Sequence, residues 1–197
     1  MKKLTILKVI ASLFIVTATM TFASCTNKSG DSSALQTKVD SLQNELKRFQ
    51  DEKALTEMRL TRFDSLDFEF YSKQDWKNFE ISHMDNIKVV YPDGMITTGL
   101  FPQHIDMLTP MFVFAPDTKI KTHPVRFGSG DWTCVIGEME GTFSKPMPIG
   151  NGKTIPPTGK KFKLSMSTIA HWKDGKISEE LLFWDNQSFM KQIGLAQ

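Results

Sequence analysis

Cysteine, net charge and long apolar runs are all scarce in this chain, and each scarcity excludes something. The 197 residues hold two cysteines, Cys25 and Cys134, far too few for the framework of a disulfide-built scaffold. The longest uncharged apolar stretch, 9–22, is roughly 14 residues, whereas a membrane-spanning helix needs about 20. The net charge of +2 belongs to the N-terminus: residues 1–24 carry three of the 24 basic residues and none of the 22 acidic ones, so the remainder is at −1. Nucleic-acid binding, which calls for a basic face, is therefore not expected. The four histidines show no HxH or HxxxH spacing and no Cys/His cluster, so no metal site is expected. Neither a Gly-rich phosphate loop nor a Gly-x-Ser-x-Gly elbow occurs, and no internal repeat is visible.

What is present begins with a targeting signal. Lys2, Lys3 and Lys8 precede the short apolar run, which ends in Ala23-Ser24 and then Cys25. Phe22-Ala23-Ser24-Cys25 resembles the lipobox of bacterial lipoproteins, with Phe22 where Leu is usual. The resemblance implies a signal peptide over 1–24 and acylation of Cys25, as with palmitate. Stable anchoring follows, since each buried methylene contributes about 0.8 kcal/mol. The expected location is the bacterial cell envelope, on the outer membrane facing the periplasm, because no acidic cluster follows Cys25. With Cys25 acylated, Cys134 has no intramolecular partner. It reads as a small buried hydrophobe among Trp132, Val135 and Ile136.

Residues 25–33 are polar and read as a flexible tether. A heptad-like seam of Leu35, Val39, Leu42, Leu46 and Phe49 follows, and no Gly or Pro occurs over 31–71. This predicts a stalk helix over 34–54, either a solvated spacer or a dimerising coiled coil. The remaining domain, 55–197, begins with helices. Leu60, Phe63, Leu66 and Phe70 mark a core face. Asp75 reads as the N-cap of a second short helix bearing Trp76, Phe79 and His83 on one side. Strands are expected at 87–91 and 95–100, and a third helix from Pro102, kinked at Pro110, with His104 exposed in its first turn. Long strands are then expected at 119–127, 132–144, 160–172 and 177–185. Helices followed by an antiparallel meander give an α+β class, with helices packed on one face of a curved sheet.

Four motifs in order are similar to one known family: Pro156-Pro157-Thr158-Gly159-Lys160, Trp172-Lys173-Asp174-Gly175-Lys176-Ile177, Trp184-Asp185, and Gln192-Ile193-Gly194-Leu195. They resemble the SnoaL-like polyketide cyclases, or ester cyclases, of the nuclear transport factor 2-like superfold. The resemblance covers about residues 55 to 195. It implies a cone-shaped, strongly bent antiparallel sheet wrapped round three helices, with an apolar pocket inside. It also implies that Asp185, near the end of the last strand, is the general acid/base, because a carboxylate in an apolar pocket has a raised pKa. The Gly-Thr-His of many relatives is Gly141-Thr142-Phe143 here.

Strand register adds candidates. Counting from the turn at Asp174-Gly175 pairs Trp172 with Ile177, sets Asp185 opposite about Leu164, and brings Glu138 or Glu140 towards Asp185. His171 falls near the hairpin tip. His83 points inward by its helical spacing, and His123 lies near Ile136. Met107, Met111, Met139, Met147 and Met166 suit either an adaptable pocket or a core. Three functions fit: a lipid-anchored module binding a small apolar molecule; a cofactor-free cyclase or isomerase using Asp185 with His83 or Glu138; or a structural homodimer held by the stalk.

Overall fold

The computed structural model describes residues 29–196. The signal peptide, Cys25 and the start of the tether lie outside them. The chain divides into two compact units, one ending at Asn44 and one from Glu45 onward.

Helix α1 runs Ser29–Ser65, beginning inside the stretch read as a tether. In the first unit, Leu35, Val39 and Leu42 are exposed; Leu46 and Phe49, in the second, are exposed as well. From Leu60 the helix turns apolar on one side, and Leu60, Phe63 and Leu66 are buried. A π-helical turn, Leu66–Tyr71, continues it and puts Asp67 on the buried side with Phe63 and Tyr71, four residues to either side. Among the described residues, no helix is long and apolar enough to cross a membrane.

A short 3₁₀ turn, Trp76–Ile81, replaces the expected second helix. Asp75 does not cap it; its carboxylate accepts instead from the Asn78 side chain. His83 is not helical but opens strand β1 (His83–Val90), earlier than expected, and β2 (Ile96–Thr98) pairs with it. An irregular turn, Leu100–His104, leads into α2 (Ile105–Phe114), which contains Pro110. The strand expected at 119–127 is two pieces, β3 (Lys119–Ile120) and β4 (Val125–Ser129). After β5 (Trp132–Thr142), the Pro/Gly loop carries a small hairpin of β6 (Met147–Pro148) and β7 (Thr154–Ile155). Strands β8 (Lys161–Lys173) and β9 (Lys176–Trp184) precede α3 (Asn186–Gln192).

The main sheet runs β2-β1-β9-β8-β5-β3, with β4 also on β5. It is mixed, because β1 lies parallel to β9 while its other pairings are antiparallel. β5 alternates with period two: Thr133, Val135 and Met139 are buried, while Cys134, Ile136, Glu138 and Glu140 are half-exposed on the other face. Cys134 is thus not in the core. Trp172 is buried, and its indole donates to Thr133 at 2.8 Å.

One bulge governs the last strand. His171 pairs with Glu179 but Trp172 with Ile177, so Ser178 is an extra residue, held by its hydroxyl donating to the His171 carbonyl at 3.1 Å. A one-residue slip exchanges the faces of everything beyond it. Ile177 is buried, and after the bulge the buried positions are Glu180 and Leu182.

Candidate functional site

The concave side of the sheet, the π turn, the 3₁₀ turn and α2 together enclose a cavity of about 330 Å³. That is within the size range of small-molecule sites, about 300–1,000 Å³. Its wall is mostly apolar, and Met107, Met111, Met139, Met147 and Met166 all line it. Unbranched, polarizable side chains of this kind adapt to irregular ligands. Among the described residues, no Lys or Arg borders it. The polar groups that do include two clusters, one built on Asp67 and one on Glu180.

In the first cluster Asp67 and Tyr71 project from one face of the π turn. His123, buried behind Asp67, makes contacts on both ring nitrogens: Nε2 to Asp67 Oδ2 at 2.8 Å and Nδ1 to Asp64 Oδ1 at 2.7 Å. Arg126 donates to the other oxygen of Asp64. Burial pushes Asp67 above its ordinary value, and the His123 hydrogen bond only partly offsets this. Burial alone would lower His123, but its bonds to Asp67 and Asp64 and their charges outweigh that and raise it. Burial, with the nearby Asp67 charge, raises the Tyr71 phenol, so it stays protonated and can donate. The partner it has is a weak one, Met139 Sδ at 3.5 Å.

In the second cluster Glu180 is buried between two buried histidines. His83 Nε2 lies 3.3 Å from Glu180 Oε1 and His104 Nε2 3.7 Å from Oε2. His83 stacks on Phe79 with ring centroids 5.2 Å apart, and its Nδ1 contacts the Phe79 carbonyl at 3.2 Å. His104 Nδ1 meets the Tyr91 hydroxyl at 3.0 Å. Burial would raise Glu180, but the charge and hydrogen bond of His83, with the charge of His104, hold it below its ordinary value. Desolvation lowers His104 to about 4.

Of the residues expected from sequence, His83 borders the cavity and His123 stands directly behind it. Asp185 does not belong to the site. It is exposed at the N-cap of α3 and accepts from the Ser188 N–H at 2.9 Å. The Ser178 bulge is the reason, since without it Asp185 would share the buried face with Ile177. Glu138 is also outside, on the outer face of β5, paired with Lys163 at 3.0 Å and accepting from Thr122. Leu164 faces Met139, and both Glu138 and Glu140, expected near Asp185, turn outward. Asp67, His104 and Glu180 were missed. Asp67 could have been found from its i+4 spacing to Phe63. His104, expected exposed, is 2% exposed, because Phe101 is extended (φ −113°, ψ 132°) and breaks the helical turn from which its direction was read. No local signal marked Glu180.

The family model for SnoaL-like polyketide cyclase matches residues 64–193. No curated protein matches. Among solved structures, the chain is similar to a SnoaL-like polyketide cyclase candidate from Jannaschia sp. CCS1, with TM-score 0.61 and 18% identity, over 73% of this chain and 96% of that one. It is similar to IdmH, a candidate polyketide cyclase from Streptomyces antibioticus, with TM-score 0.58 and 20% identity, over 69% and 98%. A protein of ketosteroid isomerase-like fold from Catenulispora acidiphila, solved with trimethylamine, matches with TM-score 0.55 and 14% identity, over 71% and 95%. These likenesses establish the nuclear transport factor 2-like, ketosteroid isomerase-like fold.

Proposed function

Because the chain belongs to the SnoaL-like polyketide cyclase family, we propose that its cavity binds a small, neutral, largely apolar carbonyl compound and moves a proton on it, as a cyclase or isomerase without an organic cofactor. The observation that carries this is Asp67 beside Tyr71 on an apolar wall with no Lys or Arg. Such a wall gives an anionic substrate no counter-charge. In the proposed step the substrate's α-proton passes to the Asp67 carboxylate. Tyr71 donates to the carbonyl oxygen as negative charge builds there. The enolate carbon then attacks a second carbonyl carbon of the same molecule, forming a carbon–carbon bond, and Asp67 returns its proton to the new alkoxide. In an isomerisation the proton returns to a different carbon. His123, fixed by Asp64, orients Asp67.

The test is α-proton exchange in D₂O, followed by NMR on a panel of small β-keto esters. Wild type should exchange at least one of them. Asp67→Asn should slow this by about a hundred-fold or more, and Tyr71→Phe less. No exchange above buffer across the panel would overturn the catalytic reading and leave binding alone.

The same proposal keeps the protein on the envelope membrane through a lipid on Cys25. A second reading, a homodimer through α1, is supported by the exposure of Leu35, Val39, Leu42, Leu46 and Phe49.

A further inference from the structure

The proton-transfer reading leaves the His83, His104 and Glu180 cluster unused. Its three side chains come from the start of β1, the entry to α2 and the middle of β9, and all three are buried and border the cavity. Their ligand-type atoms lie within 4.8 Å of one another.

The hydrogen bonding around them limits what the space between them can hold. The Phe79 carbonyl can only accept, so its 3.2 Å contact places a proton on His83 Nδ1. A neutral ring held this way turns the lone pair of Nε2 to Glu180 Oε1, 3.3 Å away. Two acceptors facing each other at 3.3 Å in a buried cluster need a cation between them, either a second ring proton or a metal ion. A ring proton on His83 satisfies one carboxylate oxygen only. His104 Nε2 is 3.7 Å from the other oxygen, too far for a hydrogen bond. A shared ion satisfies all three. The two histidines approach different oxygens of Glu180, and one ligand atom from each of the three residues lies within 4.8 Å of the others, so a modest closing of the side chains would bring them to zinc bonds of about 2.0–2.1 Å. The outer supports of a metal site are present too: the back nitrogen of His83 donates to a carbonyl, and that of His104 meets the Tyr91 hydroxyl.

We propose that His83, His104 and Glu180 form a three-ligand site for a divalent transition-metal ion, zinc first, with a further coordination position open to the cavity. Two histidines and one glutamate make a donor set of the kind found in catalytic zinc sites. An ion there would polarise a carbonyl oxygen entering the cavity. The inference does not rest on turnover, since it is read by metal stoichiometry.

The experiment uses the full chain, free of any affinity tag, stripped with chelator and titrated with Co²⁺ and then Zn²⁺. One equivalent of Co²⁺ should give the intense visible bands of a low-coordinate nitrogen/oxygen site, and Zn²⁺ should bleach them. Zn²⁺ should also raise the melting temperature by several degrees. His104→Ala and Glu180→Gln should each weaken Co²⁺ binding by about ten-fold or more, while His171→Gln and Cys134→Ser should leave it unchanged. The wild-type titration decides even if a cluster variant does not fold. No stoichiometric binding, a pale six-coordinate spectrum, or loss of binding in Cys134→Ser or His171→Gln would overturn the assignment. The first of these results would leave the cluster as a His83–Glu180 ion pair.

Discussion

Asp185 does structural work at a helix end, whereas Asp67 carries the proposed chemistry. Asp185 caps α3 through the Ser188 N–H. Asp185→Ala should therefore cost about 1 kcal/mol in urea unfolding and leave ketone exchange intact. A drop in exchange at unchanged stability would put Asp185 back in the site. Asp67 and His123 make the molecule pH-sensitive, and the direction follows from their shifts. Burial raises Asp67 in the folded state above 3.8, so keeping it neutral favours folding at low pH, and that contribution fades as pH rises through the folded value. Its carboxylate partners raise folded His123 above 6.5, so its contribution is full below 6.5 and is lost as pH rises through the folded value. Both slopes have the same sign. Between about pH 6 and 9 the stability advantage of wild type over His123→Gln should shrink in thermal unfolding. An advantage that grows with pH across that window would contradict the paired geometry.

Pairing register decides which side chains the strands deliver. On β5 the inward positions include Gly137 and Gly141, and the second leaves room for the Phe162 ring of β8. A Cβ at Gly141 would lie 2.7 Å from Phe162 Cζ and 2.9 Å from Thr118 Oγ1. Gly141→Ala should consequently destabilise by about 1–3 kcal/mol through overpacking, read as a lower urea midpoint at unchanged slope. A neutral result would mean that β5 and β8 separate there at little cost. On β9 the extra Ser178 plays the larger part, because it turns Glu180 towards the cavity and Asp185 away from it. The family motif Trp184-Asp185 is present in the sequence, yet its aspartate is delivered to the wrong face for the role that the resemblance implied.

The exposed seam on α1 and the proposed lipid on Cys25 concern how the protein sits with its neighbours. Five large apolar side chains along one helix, 44–62% exposed, are more than a solvated spacer needs. Leu42→Lys with Leu46→Lys should shift the protein from dimer to monomer in light scattering at tens of micromolar, with the melting of the Glu45–Gln197 unit little changed. Wild type that is already monomeric there would remove the dimer reading. For the anchor, intact mass of membrane-extracted protein should begin at Cys25 with acyl chains, and Cys25→Ser should move it to the soluble fraction. An unmodified Cys25 would sink that proposal.

The amino-acid sequence by itself determined the α+β class, the long helix, the central β5–β8–β9 strands to within about two residues, and the family. These follow from local signals: apolar period, absence of Gly and Pro over 31–71, and turn residues such as Asp174-Gly175. Two site residues, His83 and His123, were singled out from local spacing, but the structure places them differently: His83 opens β1 rather than ending a helix, and His123 lies in the gap between β3 and β4. The tertiary structure alone decided the rest. Glu180 and Asp185 exchange faces through one bulged residue that nothing near it in sequence announces, and a period-two element carries no memory of its starting phase across such a slip. His104 was lost to an irregular turn, and the convergence of His83, His104 and Glu180 spans nearly a hundred residues of chain. Sites assembled from contacts that distant depend on how the sheet curls, which no local spacing encodes.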